Sequence, residues 1–440
     1  DDFFSMKLSQ PLDNVFGATK SSEVIFRESC PLFSNYDNGR LIGAGAFGVA
    51  LKYARRDTLM ARDGVPLFCV VKIQAVRPSV LPRDELEGSL RELMVMHTIE
   101  SALKLPHDRP FLSNHVRLYD WTRCRMNLTE ALKPILNAED LEKIKGIRGA
   151  QLSAINTYQI IVEEYAPEGE LDEVLSKQFS SEIFLNTKAM CSMFTQVFGF
   201  FYALYTSRGF AHNDLKPSNI LLKRLPPNST IKYLVYNFGP NRASYYVPVA
   251  DSSGFVFKVA DFGLADITTK EGKKIGRSEW KAQPGLDLEM MACTVLFSII
   301  EAYKKDYRVM MPAEALRLLR QMIVPPNSDT VDRYVVADKR SDASLAKVPT
   351  SGKLREAALA FLAEENLGKE APDYIYHRAV YDEMYGMQMA AWGKSARYAA
   401  HRSMDSIDKM LAKVGRLTDY DITPKDLTPN NYYVMNAFEL

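Results

Sequence analysis

The chain has 440 residues, 47% hydrophobic, 25% charged and 11% aromatic, with 23 Gly and 22 Pro, an ordinary globular usage that excludes collagen-like and disordered classes. Its 55 Lys plus Arg against 54 Asp plus Glu leave a net charge of +1, so there is no general field for gripping nucleic acid or an anionic membrane. The five cysteines (Cys30, Cys69, Cys124, Cys191, Cys293) show no CxxC pair and no histidine at metal-ligand spacing. They are expected to be reduced thiols in an intracellular protein, cytoplasmic in the first instance, with a nuclear or virion-associated site left open.

In chain order, residues 1–36 carry no sustained period and are expected to form an N-terminal extension. The opening DDFFSMKLSQ has two acids where a signal or transit sequence would carry positive charge. From Gly39 short β-type runs follow: Arg40–Ile42, a glycine-rich turn, Val49–Tyr53, then Leu67–Ile73 after an Asp63-Gly64 turn. Pro82 and Asp84 open a helix in which Leu86, Leu90, Leu93 and Met94 recur at helical spacing. Val116–Trp121 and Tyr158–Val162 are two further strands, separated by a polar, partly helical insert at about 127–154.

After Pro167 the chain turns mostly helical, with Thr187–Tyr205 a long apolar helix and helices again from Leu286, including Ala313–Met322, Leu354–Ala363 and Ser395–Val414. The apolar runs are too short to span a bilayer, Met290–Ile300 by length and Met190–Tyr205 because Ser192, Thr195, Gln196 and Gly199 interrupt it. Residues from Arg416 return to turn composition and are expected to form a tail packed on the surface. A β-rich half before an α-rich half predicts an α+β protein of two lobes, not an alternating βα sheet.

Four segments carry chemistry. In Gly43-Ala44-Gly45-Ala46-Phe47-Gly48, three glycines allow a tight turn that presents backbone N–H groups to phosphate oxygens, although alone this is equally an ordinary loop. Lys72 stands in the β-branched run Val70-Val71-Lys72-Ile73. By itself it is a strand lysine reaching for water, but a buried ammonium needs an anion, and Glu92 on the following helix lies in the right direction. The third segment is His212-Asn213-Asp214-Leu215-Lys216-Pro217-Ser218-Asn219-Ile220-Leu221-Leu222, and the fourth is Lys258-Val259-Ala260-Asp261-Phe262-Gly263-Leu264-Ala265.

The third segment, HxDLKPxNILL, resembles the catalytic loop of the eukaryotic protein kinases, and Asp261-Phe262-Gly263 resembles their metal-binding segment. Matches of this kind arise by chance with a probability on the order of 10⁻⁵. The resemblance runs from roughly Arg40 to Ile300. It implies a protein-kinase-like two-lobed α+β fold. Residues 37–165 would form a small β-rich lobe with one main helix, 166–415 a larger, mostly helical lobe with an insert at about 223–257, and 416–440 the tail.

The resemblance also implies a Ser/Thr protein kinase that moves the γ-phosphoryl group of ATP to a hydroxyl of a protein substrate, with Mg²⁺, or Mn²⁺ in its place. Asp214 would orient the hydroxyl and accept its proton, Lys216 would neutralise the transferring phosphate, and Asn219 with Asp261 would hold the metal. Lys72, steadied by Glu92, would hold the α and β phosphates under Gly43, Gly45 and Gly48. Glu164 and Ala166 would flank the adenine and Glu170 the ribose. Lys216, two residues after Asp214, is the arrangement of the Ser/Thr-specific members. The alternative of another class is a nucleotide-binding pseudokinase acting as a scaffold, disfavoured because Lys72, Asp214, Asn219 and Asp261 are all present.

Departures from the family pattern carry their own expectations. Asn213 stands where an Arg usually pairs with a phosphate on the activation segment, so activity is expected not to depend on that phosphorylation. No Ala-Pro-Glu occurs; Gln283-Pro284-Gly285 stands roughly in its place. Asp287 resembles the helix Asp that supports the catalytic loop from below. Aligning the hinge on Glu164-Tyr165-Ala166 puts Glu163 beside the adenine pocket, where a carboxylate needs a cation; otherwise the register is off by one, which is the preferred reading. Residues 223–257 are expected to form an extended hairpin inserted at the surface, with aromatics that pack on the helical lobe or offer a face to a protein partner. The Met and Tyr pattern in Tyr374–Trp392 is expected to be core.

Overall fold

The fold is given by a computed structural model that describes Cys30 and residues 36–45, 48–55, 68–76, 88–103, 111–134, 136–142, 144, 157–177, 187–237, 244–276, 287–288, 291, 294–295, 418–420 and 422–438. Strands β1 (Tyr36–Gly45), β2 (Gly48–Arg55), β3 (Phe68–Ala75), β5 (Leu118–Arg125) and β6 (Thr157–Glu164) form one sheet in the order β1-β2-β3-β6-β5, with every neighbouring pair antiparallel. β4 is the short Phe111–Leu112. The β-branched run of β3 is buried on both faces, which its position at the centre of the sheet explains. Gly48 is required by close approach: a Cβ there would stand 1.9 Å from the backbone oxygen of Ile73.

Each face of this sheet is covered. Helix α1 (Gly88–Ala102) lies over one face and is buried nearly all round, with Leu90, Leu93, Met94 and Ile99 inside. The insert's helix α2 (Leu128–Leu132) lies over the other, placing Leu128 and Leu132 against Leu51, Val71 and Ile160. Asn127 caps it by accepting from the Glu130 N–H.

The rest of the described chain is built around α4 (Thr187–Arg208), preceded by the short α3 (Leu171–Lys177). Phe194, Phe198, Phe200 and Phe201 of α4 are fully buried, which accounts for the long apolar run. β7 (Ile220–Arg224) pairs antiparallel with β10 (Phe255–Val259). Between them the insertion forms the hairpin β8 (Tyr233–Asn237) and β9 (Ser244–Pro248). Two short strands, β11 (Ile267–Thr268) and β12 (Lys274–Ile275), follow. No described helix is long and apolar enough to cross a membrane.

Three expectations change. The insertion is the expected hairpin and its Tyr236 ring packs on the helical side as expected, so close to Gly199 of α4 that a Cβ there would come within 2.7 Å of it; what changes is that it does not lie on the surface as a whole, since Leu234, Val235, Tyr236 and Val247 are buried. Nor does the tail merely rest on the exterior. Its strand β13 (Tyr432–Met435) runs parallel between β4 and β8 in a sheet of order β4-β13-β8-β9, so the edge of β8 is occupied by the chain itself. Finally, the cysteines are not all reduced. Cys30 and Cys124 form a disulfide across 94 residues, with Cα atoms 5.2 Å apart, while Cys69 and Cys191 are free and buried. Only tertiary approach brings that pair together, and the cysteine argument for an intracellular site falls with it.

Several expectations lie outside the described residues: most of the N-terminal extension, Ala46 and Phe47, Gln283–Gly285, Cys293, and the helices at 313–322, 354–363 and 395–414 together with Tyr374–Trp392.

Candidate active site

Cross-strand register aims Lys72 under α1. It pairs with Ile161 across β3 and β6, and its Nζ donates to Glu92 Oε1 at 2.5 Å. Burial opposes the ammonium, but the charges of Glu92, Glu163 and Asp261 outweigh it and hold the Lys72 pKa above its ordinary value. The lysine is therefore a fixed cation facing acids from three elements. One residue before Glu92, Arg91 donates to the Gly263 oxygen at 3.2 Å, tying α1 to the segment after Asp261.

The catalytic-loop segment is held from below by one carboxylate. Asp287 Oδ2 accepts from the His212 N–H and Oδ1 from the Asn213 N–H, both at 2.7 Å. Burial pushes the Asp287 carboxyl up to about 7, the two N–H donors pull against it, and Asp214 and Asp266 add to the rise. Asn213 adopts a left-handed conformation at φ 63°, which Asn tolerates, and its side chain donates to the Leu264 oxygen at 3.0 Å. His212 is fully buried and Nε2 donates to the Ala260 oxygen at 2.9 Å; burial lowers its pKa and keeps the ring neutral.

This support delivers Asp214 to a fixed place. Asp214 Oδ2 accepts from Lys216 Nζ at 2.7 Å and from Asn219 Nδ2 at 3.2 Å, while the Asp214 backbone oxygen accepts from the same amide at 2.8 Å. Because its nitrogen is spent on Asp214, Asn219 has its amide oxygen left for a cation. The β7–β10 pairing ends at Ile220 opposite Val259, and the Ala260 N–H donates to the Asn219 backbone oxygen at 2.9 Å. Asp261 thus follows directly beside Asn219, at φ 61°. Phe262 is fully buried against Phe210 and His212, with ring centroids 6.2 and 5.5 Å away. One carboxylate and one amide oxygen are a hard-oxygen donor set that suits Mg²⁺, which keeps its other positions for water and phosphate.

At the end of β6 the two glutamates diverge. Glu163 pairs with Val70 across β3, on the face that carries Lys72, and it senses Lys72, Glu92 and Asp261. The cation that a carboxylate at this position needs is therefore present, in Lys72. Glu164, one residue on, points its carboxylate elsewhere, accepting from Lys258 at 2.9 Å and Lys223 at 2.6 Å. Its backbone N–H is engaged as well, donating to the Arg117 oxygen at 2.9 Å. Ala166 is buried, while Glu170 is exposed at the start of α3, where it bridges to Leu221 of β7. Gly43, Gly45 and Gly48 lie at the facing ends of β1 and β2, with Gly45 opposite Gly48.

Sequence reasoning missed the groups behind Glu92. Gln74, two residues past Lys72 on the same strand face, donates to Glu92 Oε2 at 2.6 Å. A glutamine in register with the lysine of an otherwise apolar strand was the available signal. Missed as well was the cluster at the end of α1, where Glu100 accepts from Arg117, His115 and the Leu118 N–H.

Residues 141–286 match the family model of the protein kinase domain, which supports membership of the protein kinase superfamily. Its α+β fold is kinase-like. Protein kinase domains use ATP and Mg²⁺ and act on protein substrates. No curated protein matches the chain.

Proposed function

We propose that the chain is an active Ser/Thr protein kinase transferring the γ-phosphoryl group of MgATP to a protein hydroxyl. The observation that supports it best is the tie of Asp214 to Lys216 and Asn219, beside Asp261 and on the support of Asp287. Such transfer passes through a loose transition state, so positioning and neutralisation of phosphate charge do most of the work. In this reading Asp214 orients the acceptor hydroxyl and takes its proton, and Lys216 answers charge on the transferring group. Asn219 and Asp261 would hold Mg²⁺, which supplies charge neutralisation between the phosphates. Lys72, fixed by Glu92, holds the α and β phosphates beneath Gly43, Gly45 and Gly48, with the hinge backbone of Glu164–Ala166 and the Glu170 side chain at the nucleoside.

The reading includes two lobes divided near residue 165. It also includes independence from activation-segment phosphorylation, because Asn213 spends its side chain on the Leu264 oxygen and brings no guanidinium. The test is transfer from labelled ATP with Mg²⁺ to generic protein substrates, followed by phosphoamino-acid analysis. Phosphoserine or phosphothreonine is expected, falling by at least about 10³-fold in Asp214→Ala while MgATP affinity stays within about threefold. Nucleotide binding without transfer in the parent protein would replace this reading with the scaffold.

A further inference from the structure

The sheet face that carries Lys72 also carries a polar rung two residues further along. Arg123 of β5, Gln159 of β6 and Gln74 of β3 are direct cross-strand partners, at 0%, 0% and 6% exposure. Arg123 Nε donates to Gln159 Oε1 at 3.0 Å, and Gln159 Nε2 donates to Gln74 Oε1 at 3.2 Å and to the Ser89 backbone oxygen at 2.5 Å. Gln74 Nε2 completes the row at Glu92 Oε2, 2.6 Å away. The direction of this chain is fixed by its ends. A guanidinium only donates and a carboxylate only accepts, so each amide between them must turn its oxygen toward β5 and its nitrogen toward α1.

Buried polar side chains cost desolvation that apolar ones avoid, and the adjacent rung on the same face is Lys72, Ile161 and Trp121, apolar apart from the lysine. That cost is offset where the row ends, on Glu92, which is 3% exposed and has two oxygens to satisfy. With Lys72 on Oε1 and Gln74 on Oε2, the carboxylate is held at both oxygens and cannot rotate away from the lysine.

We propose that Gln74, backed by Gln159 and Arg123, is a positioning residue for phosphoryl transfer: it fixes Glu92 so that Lys72 is presented to the phosphates, and it seats α1 on the sheet. The proposal deepens the kinase reading given above and rests on it. The anchor lies wholly within the sheet and α1, so it needs no phosphate on the activation segment. Through Arg91 and the Gly263 oxygen, α1 seated this way also braces the segment that carries Asp261.

The test is a double-mutant cycle. Gln74→Met keeps the length and burial of the side chain and removes its amide; Gln159→Met removes the next link and serves should the first variant fail to fold. MgATP affinity, kcat and KM are measured for the wild type, Gln74→Met, Glu92→Gln and the double variant. Gln74→Met is expected to weaken MgATP binding about tenfold and lower kcat comparably, the worth of a hydrogen bond to a charged group. In the Glu92→Gln background the same change is expected to alter either quantity by no more than about twofold, because a group that acts through Glu92 has nothing left to position. Unchanged affinity in Gln74→Met, or losses that multiply in the double variant, overturn the proposal. If the wild type transfers no phosphate yet its MgATP affinity still falls non-additively in Gln74→Met, the kinase reading is overturned and the positioning role is supported.

Discussion

Glu163 is a carboxyl where burial and charge disagree. Burial raises its pKa, Lys72 lowers it, Glu92 and Asp261 raise it again, and the result is about 7 against an ordinary 4.5. Between those values the native protein binds more protons at Glu163 than the unfolded chain does, so stability falls as pH rises through the interval. Asp287, raised to about 7 from 3.8, acts in the same direction, so the comparison with a variant isolates Glu163. The melting midpoint of Glu163→Gln relative to the wild type is expected to climb from pH 5 to pH 8; a difference constant with pH would refute the assignment.

The same scale shows what was legible. Lys72 and Glu92 were named from residue type and position, and Asp214, Lys216, Asn219 and Asp261 through the resemblance to the protein kinases; the structure brings Lys72 to Glu92 and gathers Lys216 and Asn219 on Asp214. Their chemistry is carried by short contiguous segments, so the order of residues already contains most of the geometry. The side-chain directions of Glu163 and Glu164 were not legible, because they depend on which strands flank β6. Register with β3 turns Glu163 toward Lys72, and β7 with β10 supplies the lysines that claim Glu164.

At the scale of elements, Glu164 joins the five-stranded sheet to the β7–β10 pair, which begins just after Asn219 and ends just before Asp261. Burial would raise its pKa, but Lys258 and Lys223 pull it down to about 2. Glu100 at the end of α1 is likewise brought to about 2, as His115 and Arg117 overcome burial. For both groups the stabilisation is complete above the ordinary 4.5 and is lost as pH falls toward 2. Glu164→Gln leaves Lys258, whose side chain is 2% exposed, without its counter-charge, and is expected to cost about 3–5 kcal/mol at neutral pH. Urea unfolding at pH 7 and pH 3 checks both points: the deficit of the variant should shrink in acid, and an equal deficit at both pH values would show that the ion pair is not its source.

At the scale of the whole molecule, the tail closes the structure from the far end of the sequence. Asn436 Oδ1 accepts from the Asn114 N–H at 2.8 Å, and its amide donates to Asn114 Oδ1 at 2.9 Å. Asn114 in turn donates to the Phe257 oxygen of β10 at 2.8 Å. The tail is thereby linked to the strand that leads to Asp261. Asn436→Gly keeps the φ of 49° accessible but strands a buried amide, so a loss of about 1–3 kcal/mol is expected by urea unfolding. Wild-type stability in the variant would mean that the tail is not held through this contact.

The Cys30–Cys124 disulfide is the other long-range tie, fastening a segment before β1 to the end of β5. A reductant is expected to lower stability by about 2–4 kcal/mol in the wild type and to leave Cys124→Ser unaffected. Equal sensitivity in the two proteins would place the effect elsewhere.

From the sequence alone followed the strands of the first sheet, the two long buried helices, and a kinase-like catalytic segment with its acids, amide and lysines in order. The strands and helices rest on periodicity, and the kinase-like segment on a resemblance carried by neighbours within about a dozen residues, where chain connectivity limits the geometry. Tertiary structure alone decided the parallel strand from the tail, the disulfide across 94 residues, the partners of Glu163 and Glu164, and the row from Arg123 to Glu92. Those features join residues far apart in the chain, and sequence order places no limit on which distant strands become neighbours until the sheets are assembled.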